Sequence, residues 1–146
     1  MQHFEKNRLV RDSDVIVYGT VLSQDVQKDF NGFPVTDTLI EVQKTYKGIP
    51  AETVKVRAAG GETDDMIYIV DEPAALTFAI GEKVVLFLGS DQGAMPETED
   101  LLYYAVGQNQ GKFKVGVRSD GMIENGPGTH SFDFNHFQNE IDELEN

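Results

Sequence analysis

At 146 residues, with 40% hydrophobic and 10% aromatic side chains, the chain is sized for one domain with a true core, and wholesale disorder is excluded. Lys and Arg number 12 against 25 Asp and Glu, a net charge of −13, which repels phosphate backbones and anionic membrane surfaces and favours cations and basic partners. There is no cysteine, so disulfides, thiolate zinc sites and cysteine nucleophiles are out of reach.

Residues 2–12 carry helix formers with Phe4, Leu9 and Val10 as an apolar face, which predicts a short amphipathic helix. The opening MQHFEKNRLVRDSD holds no apolar stretch of the signal-peptide kind, and no run approaches the roughly 20 apolar residues of a membrane span. From Ser13 the period changes to two. In DVIVYGTVLSQDV, Val15, Val17 and Val21 share one face, while Ile16, Tyr18, Thr20 and Leu22 share the other. Apolar residues on both faces predict a central or bent strand, with Gly19 at the bend or bulge. Asn31-Gly32 is a strong hairpin signal, because both residues tolerate positive φ. The return strand runs from about Thr36 to Tyr46, with Thr38, Ile40 and Val42 alternating against Asp37, Glu41 and Gln43. After Pro50, TVKVRA places Val54, Val56 and Ala58 inward and Lys55 and Arg57 outward, completing a three-stranded meander.

Gly60-Gly61 and an acidic turn lead to MIYIV, a short strand, and Pro73 bars DEPAALTFAI from an inner ladder position. Beyond Gly81-Glu82, KVVLFLG is the most hydrophobic segment of the chain and belongs at its centre. SDQGAMPETED reads as a polar loop, and LLYYAVG and GKFKVGV as two strands around Gln108–Gly111. GMIE, after Asp120-Gly121, is a last short strand, and ENGPGTH a linker. In SFDFNHFQNEIDELEN, Phe134, Phe137, Ile141 and Leu144 recur at helical spacing, with Ser131 or Asp133 as the cap. The expected architecture is a mainly β, small antiparallel barrel or sandwich of seven or eight strands. It has a helix at 1–12, the barrel at 13–125 and a helix at 131–145.

Three residues of AAGGETDDM (58–66), namely Glu62, Asp64 and Asp65, are hard oxygen donors of the kind calcium takes. Their spacing does not match the twelve-residue EF-hand loop, and a solvated turn built on Gly60-Gly61 is the simpler reading. Asp71 and Glu72, and Asp91, Glu97, Glu99 and Asp100, make two further acidic loops that would share a cation only if folding brought two of them together. A glycosidase needs two carboxylates across roughly 5–9.5 Å, a pair that 25 acids supply by chance. His3, His130 and His136 form neither an HExxH motif nor an i, i+4 pair, so surface positions are expected. No serine elbow, phosphate loop or dinucleotide fingerprint occurs. The rings of Tyr18, Phe87, Tyr103, Tyr104 and Phe113 suit either a base-stacking platform or a core; the negative excess favours the core. Phe132, Phe134 and Phe137 are expected to dock the last helix on its own barrel.

Together, SDVIVYGTV (13–21), YKGIPAETVKVRAAGG (46–61), FAIGEKVVLFLG (78–89) and VGQNQGKFKV (106–115) carry a resemblance. Over residues 10–117 the chain resembles bacterial and archaeal exported or surface-attached domains, mostly without assigned function. These are similar in fold to the OB-type barrel of netrin-like domains, which include the tissue inhibitors of metalloproteinases. The resemblance implies an OB or netrin-like barrel in an extracytoplasmic, secreted or cell-surface protein. Those inhibitors act through an N-terminal cysteine, which this chain lacks, so their mechanism carries over to no residue here. The expected function is a non-catalytic binding or interaction module with a protein partner, without nucleic acid or membrane insertion. No catalytic, cofactor-binding or metal residue is assigned. The alternatives are a calcium-stabilised surface module using Glu62, Asp64 and Asp65, and a hydrolase with a scattered carboxylate site.

Overall fold

The computed structural model describes residues 5–28, 31–63, 66–68, 76–90 and 102–145. Helix α1 (Lys6–Asp12) buries Leu9 and Val10 and stops where Ser13 Oγ donates to the Leu9 carbonyl at 2.6 Å. Ten strands follow among the described residues: β1 (Val15–Lys28), β2 (Pro34–Lys47), β3 (Thr53–Ala59), β4 (Gly61–Thr63), β5 (Met66–Tyr68), β6 (Lys83–Ser90), β7 (Leu102–Ala105), β8 (Lys112–Lys114), β9 (Met122–Asn125) and β10 (Ser131–Asp133). Helix α2 (Phe137–Glu145) is the last described element. Eight strands form one sheet in the order β1-β2-β3-β7-β6-β8-β9-β10, in which β1 also pairs with β6; β4 and β5 pair separately.

The meander β1–β2–β3 and the central place of KVVLFLG are as expected: β6 pairs with β1, β7 and β8. Both β1 and β6 are apolar on two faces because each separates two cores. On one side Val17, Val21, Ile40, Val54, Val56, Leu86 and Leu88 pack together. On the other, Ile16, Val85, Phe87 and Phe113 meet α1 and α2 through Leu9, Phe137 and Ile141. Edge-to-face contacts of Phe137 with Tyr46 (4.6 Å) and Phe132 (5.1 Å) fix α2 in place. Gly19 sits at a register shift, where a Cβ would lie 2.4 Å from the Glu41 carbonyl oxygen. The last of the three shifts in this ladder, between Val21 and Ser23, makes Leu22 the extra residue of a bulge.

Three expectations are corrected. The ladders are antiparallel except β3–β7, where Lys55 lies beside Leu102 and Val56 beside Tyr103 in parallel. Strand parity requires this: β1 and β3 run the same way, β6 runs against β1, and β7 runs against β6. The final helix starts at Phe137 rather than 131, because Ser131–Asp133 pairs with β9 as β10; Asp133 does cap the short 3-10 turn that follows, accepting from the Asn135 N–H. ENGPGTH is a tight turn, not a linker. Its Asn125 is buried, donates to the Gln110 carbonyl and Thr129 Oγ1, and accepts from the N–H groups of Thr129 and His130.

Candidate functional site

The bulge at Leu22 decides which side chains reach the outer face of the meander. Before it, Val15, Val17 and Val21 point into the core; after it, Ser23, Asp25 and Gln27 point outward. The ladders align them in rows: Ser23 with Leu39 and Lys55, Asp25 with Asp37 and Arg57, and Gln27 with Val35 and Ala59. A cleft of about 590 Å3 opens over this face, lined among others by Asp25, Asp37, Leu39, Ile49, Lys55 and Tyr103. Ile49 is 99% exposed at its rim. The cleft therefore offers apolar surface, the carboxylates of Asp25 and Asp37 and the ammonium of Lys55 side by side.

Asp37 and Arg57 do face outward as their alternation predicts, but they are not solvated. Their side chains are 4% and 5% exposed, and Arg57 donates through Nε to Oδ1 at 2.7 Å and through Nη2 to Oδ2 at 2.9 Å. Gln27 adds an amide N–H to Oδ2. Such a bidentate, hydrogen-bonded arrangement is what makes a buried charge pair tolerable. Arg57 also borders a second cleft, of about 260 Å3, with Leu76, Tyr104 and Ala105. The ion pair is thus a wall between two clefts. Sequence alternation places both residues on one face; it carries no signal of what buries them.

A third cleft, of about 330 Å3, is lined by Asn109, Lys112, Lys114, Arg118, Glu124 and Asn125, among others. Its cations are matched by acids. Lys112 meets Glu82 at 2.9 Å and Lys114 meets the same carboxylate at 3.8 Å. Arg118 meets Asp120 at 2.6 Å and Glu124 at 3.7 Å. Buried Lys112 also donates to the Thr77 carbonyl and lies 4.7 Å from the centre of the Phe78 ring. Burial pulls its ammonium below the ordinary lysine range, more than the Glu82 carboxylate raises it. This ring of ion pairs ties Thr77 and Phe78 to the sheet, a structural role.

Of the calcium candidates, Glu62 is exposed on β4, paired in register with Ile67, while Asp64 and Asp65 lie outside the described residues. AAGGETDDM begins, as expected, with glycines in unusual backbone: Gly60 has φ 107 and Gly61 φ 140. They lead the chain from β3 across the β1–β2 hairpin, where a Cβ on Gly61 would stand 2.7 Å from Val26 Cγ1. Gly61–Thr63 of this stretch forms β4 and pairs with β5. The acids at 71–72 and 91–100, and His3, also fall outside the described residues. Among the described residues, no group of three or more His, Asp or Glu side chains is placed to hold a metal ion.

His136 Nδ1 lies 2.7 Å from Asp133 Oδ2, and this bond holds the exposed Asp133 carboxyl below the usual range. Phe87 and Phe113 pack against each other in the core at 5.4 Å, and Tyr18 meets Phe134 edge-on at 5.1 Å. Tyr104 is exposed, and its ring lies against Gly89. Of the five rings, Phe87, Phe113 and Tyr103 are core, Tyr18 packs against that core, and Tyr104 stands outside it. Among the described residues, no helix is long and apolar enough to cross a membrane. No family model matches the chain, and no curated protein matches it.

Proposed function

We propose that this chain is an OB-type, netrin-like barrel and a non-catalytic binding module of an exported or cell-surface protein, with its ligand in the cleft over β1–β2–β3. The ladder path β1, β2, β3, β7, β6 and back to β1 supports the barrel. A circuit of five strands cannot be antiparallel throughout, so one parallel contact is what closure demands, and β3–β7 supplies it. OB barrels take ligands on the face of their second and third strands, and the 590 Å3 cleft lies there. That cleft carries the reading. Its apolar rim and its Asp25 and Lys55 suit the side chains of a protein partner, whereas a −13 surface disfavours nucleic acid. Export rests on the resemblance of the strand and turn motifs alone.

A hydrolase would draw on Asp25 and Asp37, which sit opposite each other across the β1–β2 ladder and both line the cleft. It is the weaker reading, because the two oxygens of Asp37 already accept three hydrogen bonds, from Arg57 and Gln27. A calcium-stabilised module would draw on Glu62, Asp64 and Asp65. The test is amide-shift mapping with a fragment set of amino-acid amides, dipeptides and monosaccharides. Saturable shifts at Leu39, Thr53, Lys55 and Tyr103, abolished by Lys55→Glu, support the binding cleft. Chemical turnover of any fragment sinks the non-catalytic reading, and shifts confined to other surfaces sink the cleft.

A further inference from the structure

The second half of β1 has an open edge. β6 accompanies β1 only as far as Thr20, opposite Lys83. The last backbone bonds on that side join Val21 to Glu82 and Gly81. From Ser23 to Gln27 the strand pairs with β2 on one side, and among the described residues no strand pairs with it on the other. Alternate residues of such an edge turn their N–H and C=O groups outward, and an extended chain is the partner that satisfies them in series.

The side chains along the edge specify the chemistry of that chain. Ser23 and Asp25 line the cleft and Gln27 shares their side of the strand, while Gln24 and Val26 face the side crossed by β4. Asp25 is exposed and makes no ion pair among the described residues. Val26 is 39% exposed, and the β4–β5 hairpin carries Ile67, 64% exposed. A second copy of this chain is a poor occupant. Two such edges meeting antiparallel would set their Asp25 carboxylates opposite or diagonal to each other, between molecules of net charge −13.

We propose that the Leu22–Gln27 edge takes up an extended basic segment of another protein as an added strand, its Lys or Arg side chains toward Asp25 and its apolar side chains toward Val26. This rests on the cleft reading, since alternate side chains of the added strand would enter the cleft. The probe is a capped heptapeptide alternating valine and lysine, added to the isotope-labelled full chain. Saturable amide shifts and slowed hydrogen exchange within Leu22–Gln27 are expected. Asp25→Lys weakens binding by about tenfold, two exposed charge contacts' worth at most. A peptide N-methylated at every second residue loses on the order of tenfold, because its outward hydrogen bonds are removed.

Equal binding of the N-methylated peptide, with shifts at Leu39 and Lys55 only, overturns strand addition while leaving the cleft intact. No saturable change with either peptide overturns strand addition too, and the fragment titration then judges the cleft separately. Sedimentation as a dimer, with these amides protected before peptide is added, overturns the proposal in favour of a second copy.

Discussion

Asp37→Ala removes a carboxylate that holds Arg57 at 2.7 and 2.9 Å in a setting where the two side chains are 4% and 5% exposed. The guanidinium remains charged and stays between two clefts, its bidentate partner gone, and the Gln27 amide loses its acceptor as well. Breaking a buried pair from one side costs about 3–5 kcal/mol, a large part of the roughly 5–15 kcal/mol that holds a typical domain together. For a chain near this size the melting temperature should fall by roughly 6–20 °C. Replacing both partners, Asp37→Leu with Arg57→Met, should recover most of the loss, because an apolar pair of similar volume needs no counter-charge. Urea unfolding followed by circular dichroism measures both variants, with the slope expected to stay constant. A loss below about 1 kcal/mol for Asp37→Ala would mean that the pair behaves as a surface bridge. The wall between the clefts would then be wet, with no buried pair there to lose.

Gly19→Ala should destabilise by about 1–3 kcal/mol, since its Cβ would meet the Glu41 oxygen at 2.4 Å and Ile40 Cγ2 at 2.7 Å; unchanged urea midpoints would show that the bulge gives way. Burial raises the ionisation of Tyr46 and Tyr103 above the ordinary tyrosine range, with Tyr18 adding to the first and Asp14 to the second. The unfolded chain therefore releases those protons first, and stability should fall as pH rises above about 10. Unfolding across that range checks the sign; a rise in stability would contradict it. Calcium added to chelator-stripped protein should give small, non-saturating amide shifts spread over the acids, as screening of a −13 surface does. Saturable shifts at Gly61–Thr63 at submillimolar calcium would instead make the stretch at 58–66 a cation loop.

Elements with local determinants were legible from the residues themselves. The two-faced apolar runs of Val15–Leu22 and Val84–Leu88 announce strands between two cores, and Asn31-Gly32 announces the hairpin that follows. Phe137, Ile141 and Leu144 announce a helix docked in cis, with Phe134 just ahead of it in the 3-10 turn. What escaped depends on partners distant in the chain. The burial of Asp37 and Arg57 needs the β2–β3 register, which joins residues 20 positions apart. The parallel meeting of β3 and β7 spans a still longer separation, and nothing in LLYYAVG marks its direction. ENGPGTH reads as a linker by composition, yet Asn125 with Thr129 closes it into a hydrogen-bonded turn. The cleft was not legible at all, because the phase change at Leu22 that exposes Ser23 and Asp25 is a register event between strands.

On the reading proposed above, the outer face of β1–β2–β3 binds a ligand without transforming it. Amide-shift mapping of the full chain against the fragment set tests it most directly, with the same titration repeated on Lys55→Glu. Saturable shifts clustered on Leu39, Thr53, Lys55 and Tyr103 are expected, lost in the variant, with every fragment recovered unchanged. Shifts elsewhere on the surface, indifferent to Lys55→Glu, or a fragment consumed during the titration, would contradict it.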